Sequence, residues 1–264
     1  MKKLGFIVKP FLNIVAWFLK LSRHNIYYLV DKPLRAEIQD VSKNIFAYQH
    51  IENAISIAQK MPNTEGGCIV DVGGGTAVTA IIFSNKYPKK DIFIFEPIRS
   101  NFRFIEQVNE RTGHWKLINK AAGSTIGKAQ INIANRITAS SLLQLNSDNQ
   151  GTYGEALSPK GKEDIEISTL DLEIPKDKII EVLKLDVQGF ELEVMKGGID
   201  TLKRTKVIVF EVNNHQGFQG APTYFDIDTF LRERSFELYD ILPGLRENEK
   251  LLDWDAIYVN KVLK

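Results

Sequence analysis

The sequence predicts an α/β fold: a doubly wound, mostly parallel sheet that ends in an antiparallel edge hairpin and is preceded by N-terminal helices. Three observations point there. Beyond Pro62, short apolar runs rich in β-branched and aromatic residues alternate with helical stretches. Each run is too short to be a helix, so crossover helices feed parallel strands. The last two strand-like runs have no helical pattern between them, which reads as a hairpin.

At 264 residues, 44% hydrophobic and 25% charged, the chain has the length and apolar content to bury a core. That balance excludes disordered, collagen-like and disulfide-framed classes. A net charge of +1 argues against a chain built to coat nucleic acid. Cys68, the single cysteine, has no intramolecular disulfide partner, and a reducing, cytoplasmic setting is the default expectation.

The elements follow in order. Seven basic residues (Lys2, Lys3, Lys9, Lys20, Arg23, Lys32 and Arg35) against Asp31 give residues 1–35 a net charge of +6, leaving −5 for the rest. Leu4, Ile7, Val8, Phe11, Leu12, Val15, Phe18 and Leu19 share one helical face. Pro10 suits a first turn, so the predicted helix spans residues 10–21. Its apolar run contains Asn13 and is far shorter than the roughly 20 residues that span a bilayer. Lys9 and Pro10 interrupt any signal-peptide core. What remains is a basic amphipathic helix with Trp17 beside its stripe. Residues 1–30 are thus expected to pack on their own domain, to make a homo-oligomer contact, or to lie peripherally at the inner membrane surface.

From Leu34 to Lys60 the positions Leu34, Ile38, Val41, Ile45, Tyr48, Ile51, Ile55 and Ala58 recur at helical spacing, and Met61-Pro62-Asn63 ends the run. One helix, or two with a break, is expected to cover the sheet. Residues 1–62 are read as an N-terminal helical extension and 63–264 as the main domain. Strands are predicted over 68–72, 92–95, 115–119, 182–187 and 207–212, helices over 76–86, 98–111, 190–204 and 226–234, and the hairpin from 236–242 and 254–259. Two shorter strands, 130–133 and 165–168, bracket about 30 polar residues, a length typical of a functional lid or of disorder.

Val70-Asp71-Val72-Gly73-Gly74-Gly75-Thr76-Ala77 follows the first strand and opens a helix. Glycines there permit a tight turn and close ligand approach at a helix N-terminus. The next strand ends in Glu96, a carboxylate spaced to accept hydrogen bonds from ribose hydroxyls of a nicotinamide or adenosyl cofactor. Two features favour S-adenosylmethionine over NAD. The loop departs from G-x-G-x-x-G at Val78, and Asp71 would repel a pyrophosphate while suiting an ammonium and a sulfonium. A simple dinucleotide fold also does not require the terminal hairpin.

These residues resemble a family. The glycine loop, Phe95-Glu96-Pro97, Asn119-Lys120-Ala121-Ala122-Gly123, Thr169-Leu170-Asp171, Leu183-Lys184-Leu185-Asp186-Val187-Gln188-Gly189-Phe190-Glu191 and Val209-Phe210-Glu211-Val212 occur in the order found in FkbM-type methyltransferases, over about residues 64–260. The block from Leu183 to Glu191, followed by Met195-Lys196-Gly197-Gly198, is the most specific part. Where the family's loop usually reads Asp-x-Gly-Ala-Asn-x-Gly, Gly75 replaces the Asn and Ala77 the last Gly; Gln188 stands where Glu is frequent. The resemblance implies a Rossmann-like class I methyltransferase domain that uses S-adenosylmethionine, commonly to methylate hydroxyls of sugars or secondary metabolites.

By position and resemblance, Asp71 is assigned to the methionine part or its ordered waters, residues 73–75 (Gly73, Gly74, Gly75) to the cofactor loop, Glu96 to the ribose, and the turn at Ala121 and Ala122 to the adenine edge. Asp186, ending the central strand, is expected nearest the transferring methyl, touching cofactor and orienting acceptor. Its alternative role is to cap the helix that follows. Glu211 and His215 are the further catalytic candidates, His215 as a base. Asp186, Glu211 and Asn213 offer an alternative oxygen-ligand set for magnesium; their spacing is not diagnostic, the resemblance does not support it, and no metal is expected. The expected acceptor is a small molecule or saccharide, chosen partly by the polar loop 134–164. Two rivals remain at this stage: an NAD-dependent oxidoreductase, and a catalytically silent cofactor- or membrane-binding module.

Overall fold

A computed structural model describes residues 48–62, 66–112, 114–144, 158–213, 217–244, 246–247 and 249–264. The helix predicted over 10–21, the helical run up to residue 47, and His215 lie outside the described residues. No helix among those described is long and apolar enough to cross a membrane.

Seven strands form the central sheet: β1 (Cys68–Val72), β2 (Ile92–Phe95), β3 (Trp115–Ile118), β7 (Ile180–Leu185), β8 (Thr205–Asn213), β9 (Phe236–Pro243) and β12 (Asp253–Asn260), in the order β3-β2-β1-β7-β8-β12-β9. The first five run parallel. β12 is antiparallel to both β8 and β9, so it inserts between them and leaves β9 as the edge. Strands β1, β2 and β7 are buried along their whole length, as expected of parallel strands covered on both faces.

Helices α1 (Gln49–Lys60), α2 (Val78–Lys86) and α3 (Arg99–Thr112) cover one face. α1 buries Ile51, Ala54, Ile55 and Ala58, one stripe at spacings of three and four, against Ile69, Val182, Val207, Val209 and Ile257. It stops at Met61, whose extended backbone is the conformation a residue before proline prefers. The opposite face is covered by α4 (Leu170–Glu173), α5 (Glu191–Lys196), α6 (Ile199–Lys203) and α7 (Tyr224–Arg232), packed on Val70, Leu183, Phe210 and Tyr258.

Three sequence expectations change. The helix expected from residue 76 begins at Val78, because Ala77 takes a left-handed conformation with φ 62°. The single helix expected over 190–204 is two short helices: at Gly197 the backbone passes so close to Gly123 that a Cβ would lie 1.9 Å from its carbonyl oxygen. Third, Ala121 and Ala122 form a short strand (β4), not a turn. With β5 (Gly127–Ala134) and β6 (Pro159–Ser168) it makes a separate sheet, β4-β6-β5, over a small core of Ile98, Ala121, Ile131 and Ile165. The polar stretch between β5 and β6 is described up to residue 144, where a 3-10 turn (Ile137–Ala139) folds back on β5.

Candidate active site

Strand alternation decides which side chains reach the site. Ile69, Ile94, Val182, Val209 and Ile257 all sit in the core beneath α1, α2 and α3. Two residues along each strand, on the same face, stand Asp71, Glu96, Lys184, Glu211 and Asp255. At the C-terminal edge of the parallel strands the apolar layer thus gives way to a row of charge. β12 runs the other way, so its N-terminal end meets this edge, and its register sets Asp255 directly opposite Glu211. A cavity of about 360 Å³ opens over the row, lined by strand ends and by Tyr48 and His50 at the start of α1.

One end of the cavity is built around Glu96. Its carboxylate accepts the Gly75 N–H at 2.8 Å and the Ile98 N–H at 2.9 Å, one on each oxygen. The Asn101 side chain is a third donor to this carboxylate, and the lone-pair capacity that remains is open to a hydroxyl donor. Burial, partly offset by these donors, pushes the carboxyl up to about 7. Asn119 holds the Glu96 carbonyl at 2.8 Å, and Ile98, Ala121 and Ala122 supply an apolar wall beside it. The loop amides point inward: Gly73 and Gly74 donate to the Phe95 carbonyl, Gly75 to Glu96 and Ala77 to Gly74. With those four amides used, the loop is not the open nest of N–H groups that a pyrophosphate requires. A carboxylate for ribose hydroxyls beside an apolar wall, with no phosphate cradle, fits an adenosyl group carrying no phosphate.

Lys184 occupies the centre. Its Nζ donates to the Gly73 carbonyl at 3.0 Å and lies 3.2 Å from Asp71 Oδ1 and 3.5 Å from Asp186 Oδ2. Burial works against its charge, but the two carboxylates outweigh burial and hold the ammonium above its usual value. Asp71 is 0% exposed, paired with Lys184 by charge without an aligned hydrogen bond, and does not line the cavity. Lys184 therefore stands between Asp71 and any ligand.

Asp186 reaches the cavity with 44% of its side chain exposed. It does not cap α5, whose N-cap residue Phe190 makes no side-chain cap hydrogen bond; Glu191 folds back to accept the N–H groups of Val187 and Gly189, ahead of the helix, at 3.1 and 3.3 Å. Gln188, with φ 54°, donates its amide to Asp186 Oδ1 at 2.8 Å and to Glu211 Oε2 at 3.1 Å. A glutamate there would add a third carboxylate; the amide instead joins the two acids. Burial, then the charges of Asp186, Asp253 and Asp255, hold the Glu211 carboxyl well above the usual carboxylate range. Beyond Glu211, Asp255 Oδ2 lies 3.1 Å from His50 Nδ1.

The structure thus gathers Gly73, Gly74, Gly75, Glu96, Ala121, Ala122, Asp186 and Glu211 around one cavity and leaves Asp71 behind its wall. Among the described residues no group of three or more His, Cys, Asp or Glu is arranged to hold a metal. Lys184, Tyr48, His50, Asp255 and Gln188 went unassigned in the sequence reading. Lys184 was signalled by its place two residues before Asp186, between Leu183 and Leu185 in a buried strand. His50 and Asp255 meet only through the packing of α1 on β12.

A family model for the methyltransferase FkbM domain matches residues 71–238. Methyltransferase sdnD of Sordaria araneosa is 26% identical over 196 residues, which is 65% of this chain and 71% of that protein. Among solved structures, the magnesium protoporphyrin IX methyltransferase of Synechocystis PCC 6803, with S-adenosylmethionine bound, aligns over 95% of this chain and 97% of its own, at 10% identity and a TM-score of 0.45. An rRNA methylase of Streptococcus thermophilus aligns over 80% of this chain and 96% of its own, at 10% identity and a TM-score of 0.45.

Proposed function

The chain belongs to the methyltransferase FkbM domain family, and from that premise we propose that it methylates a hydroxyl of a small molecule or saccharide, with S-adenosylmethionine as methyl donor. The cofactor supplies an electrophilic methyl on a sulfonium. The observation that carries the reading is the arrangement of the cavity: a nucleoside end at Glu96 and an acidic end at Asp186 and Glu211, with the Lys184 ammonium between them.

In this reading Glu96 accepts both ribose hydroxyls, and Ala121, Ala122 and Ile98 flank the adenine. Asp186 accepts a hydrogen bond from a neighbouring hydroxyl of the acceptor and so aims a lone pair of the reacting oxygen at the methyl carbon; positioning of this kind supplies much of the rate in a displacement reaction. Burial and the surrounding carboxylates favour the protonated form of Glu211, which in this reading donates to a second polar group of the acceptor. The 3-10 turn walls the cavity beside Gly75 and Ile98, and Ser141, which donates to the Gln188 carbonyl, lines it toward Asp186.

Calorimetry with S-adenosylhomocysteine and with NAD separates the cofactor classes: binding of the first and not the second is expected. Incubation with methyl-labelled S-adenosylmethionine, hydroxylated acceptors and matched amines locates the methyl. Label on nitrogen alone would overturn the O-methylation reading.

A further inference from the structure

Resting on the O-methylation reading, we propose that His50 is the general base that removes the acceptor's hydroxyl proton and that Asp255 is its positioning carboxylate. Both groups line the cavity that holds Asp186 and Glu211. His50 Nδ1 lies 3.1 Å from Asp255 Oδ2, with side chains 16% and 25% exposed. This contact sets Nδ1 beside Asp255, and in the proposal Nε2, at the opposite corner of the ring, accepts the proton, the base-and-orienter arrangement that recurs in acid–base catalysis. Both residues lie outside the segment matched by the family model: the sheet register sets Asp255 of β12 opposite Glu211, and the packing of α1 on β12 brings His50 to Asp255.

The other groups at this end are less suited. Lys184 is held protonated by Asp71 and Asp186. Burial pushes the Tyr48 phenol up to about 12, so it is a donor. Burial and the carboxylates around Glu211 favour its protonated form. His50 shares the cavity with Lys184 of β7 and Asp186 just beyond it, Glu211 of β8, Asp255 of β12, Tyr48 at the head of its own helix and Arg136 after β5. Burial and then Lys184 hold its imidazole down to about 4, so it is neutral and able to take a proton. Burial and then the charges of Asp186 and Asp253 raise the Asp255 carboxyl to about 7. In the step, His50 Nε2 takes the hydroxyl proton while the oxygen's electron pair forms the new O–CH3 bond. The electrons of the breaking S–CH3 bond remain on sulfur, which becomes a neutral thioether, and the proton passes from His50 to solvent.

The test has two arms on the full chain. In the first, diethyl pyrocarbonate modification of His50 is mapped by peptide mass spectrometry. Modification between about pH 6 and 8, with protection by S-adenosylhomocysteine, is expected of a neutral imidazole facing the cavity. No modification in a chain that binds S-adenosylhomocysteine overturns the proposal. In the second, methyl ether formation is followed with methyl α-D-glucopyranoside, methyl α-L-rhamnopyranoside and catechol as acceptors. His50→Gln should lower kcat by about 10²–10⁴-fold at unchanged S-adenosylhomocysteine affinity. Asp255→Asn, which keeps hydrogen-bonding capacity, should shift the acidic limb of the pH profile, which a merely structural role would leave in place. Ether formation by His50→Gln within threefold of the parent overturns the base assignment alone. Methyl found only on nitrogen with the parent chain overturns the underlying reading and this inference with it.

Discussion

Glu96 combines two tasks in one carboxylate. It anchors the loop through Gly75 and the following helix through Ile98, and it keeps lone pairs for a ligand. Glu96→Ala should weaken S-adenosylhomocysteine binding by about 1–3 kcal/mol, measured by calorimetry, through lost ribose hydrogen bonds; unchanged affinity would remove Glu96 from the cofactor site. Asp186 differs because its neighbours, Lys184 and Gln188, already fix it in place. Asp186→Asn should reduce turnover more than cofactor affinity, and full turnover would retire its role in aiming the acceptor. The row of strand-end acids was readable from the sequence because each follows an apolar run of known period. The partnership of His50 with Asp255 was not, since neither residue carries a local pattern and their contact depends on how α1 crosses the last strands. Asp71 shows the converse: a carboxylate beside a glycine loop reads as a ligand, yet Lys184 on the neighbouring strand takes its charge.

At the scale of elements, the loop between β1 and α2 is a test of backbone geometry. Gly73 has φ 84°, and a Cβ there would meet the Asp186 carbonyl oxygen at 2.0 Å. Gly73→Ala adds about 1–2 kcal/mol for a left-handed side-chain-bearing residue and about 1–3 kcal/mol for overpacking. It should therefore separate the ends of β1 and β7 and lower the unfolding midpoint in urea. Ala77 stands in the left-handed region where the family usually has glycine. Ala77→Gly relieves that strain but removes a fully buried methyl worth about 0.8 kcal/mol, and the two effects nearly cancel. A stability change under about 1 kcal/mol is expected from the same urea measurement; a loss of several would show that the methyl matters more than the backbone. The strands of the main sheet were legible because burial on both faces forces continuous apolar runs. β5 and β6 were seen only in part: most of their residues are not buried, so most of each strand carries no hydrophobic signature. The early break after α5 came from a backbone contact with Gly123 that no periodicity records.

For the whole molecule, the acidic row carries a pH signature. Burial above all raises the carboxyls of Glu96, Glu191 and Asp255 to about 7, and raises Asp71 and Glu211 as well. In the folded chain these groups hold protons that the unfolded chain releases near its ordinary values of 3.8 and 4.5. The stability they contribute in acid is therefore lost as pH rises through 7. His50, held down to about 4 from 6.5, acts in the opposite sense: its contribution is complete above 6.5 and lost as pH falls toward 4. One imidazole is outweighed by several carboxyls. The melting temperature of the ligand-free chain should thus fall between about pH 5.5 and about pH 8, and a flat or rising profile would sink the picture of strand-end acids kept protonated by burial.

The insertion of β12 between β8 and β9 has a bearing on synthesis at the ribosome. β9 is made before β12 yet pairs with no other strand of the sheet. Until residues 253–260 emerge, a nascent chain carries two open strand borders, β8 and β9, with their backbone donors and acceptors exposed and prone to pair with other chains. A message cut short before residue 253 would yield a product with both borders open, inclined to aggregate and lacking Asp255.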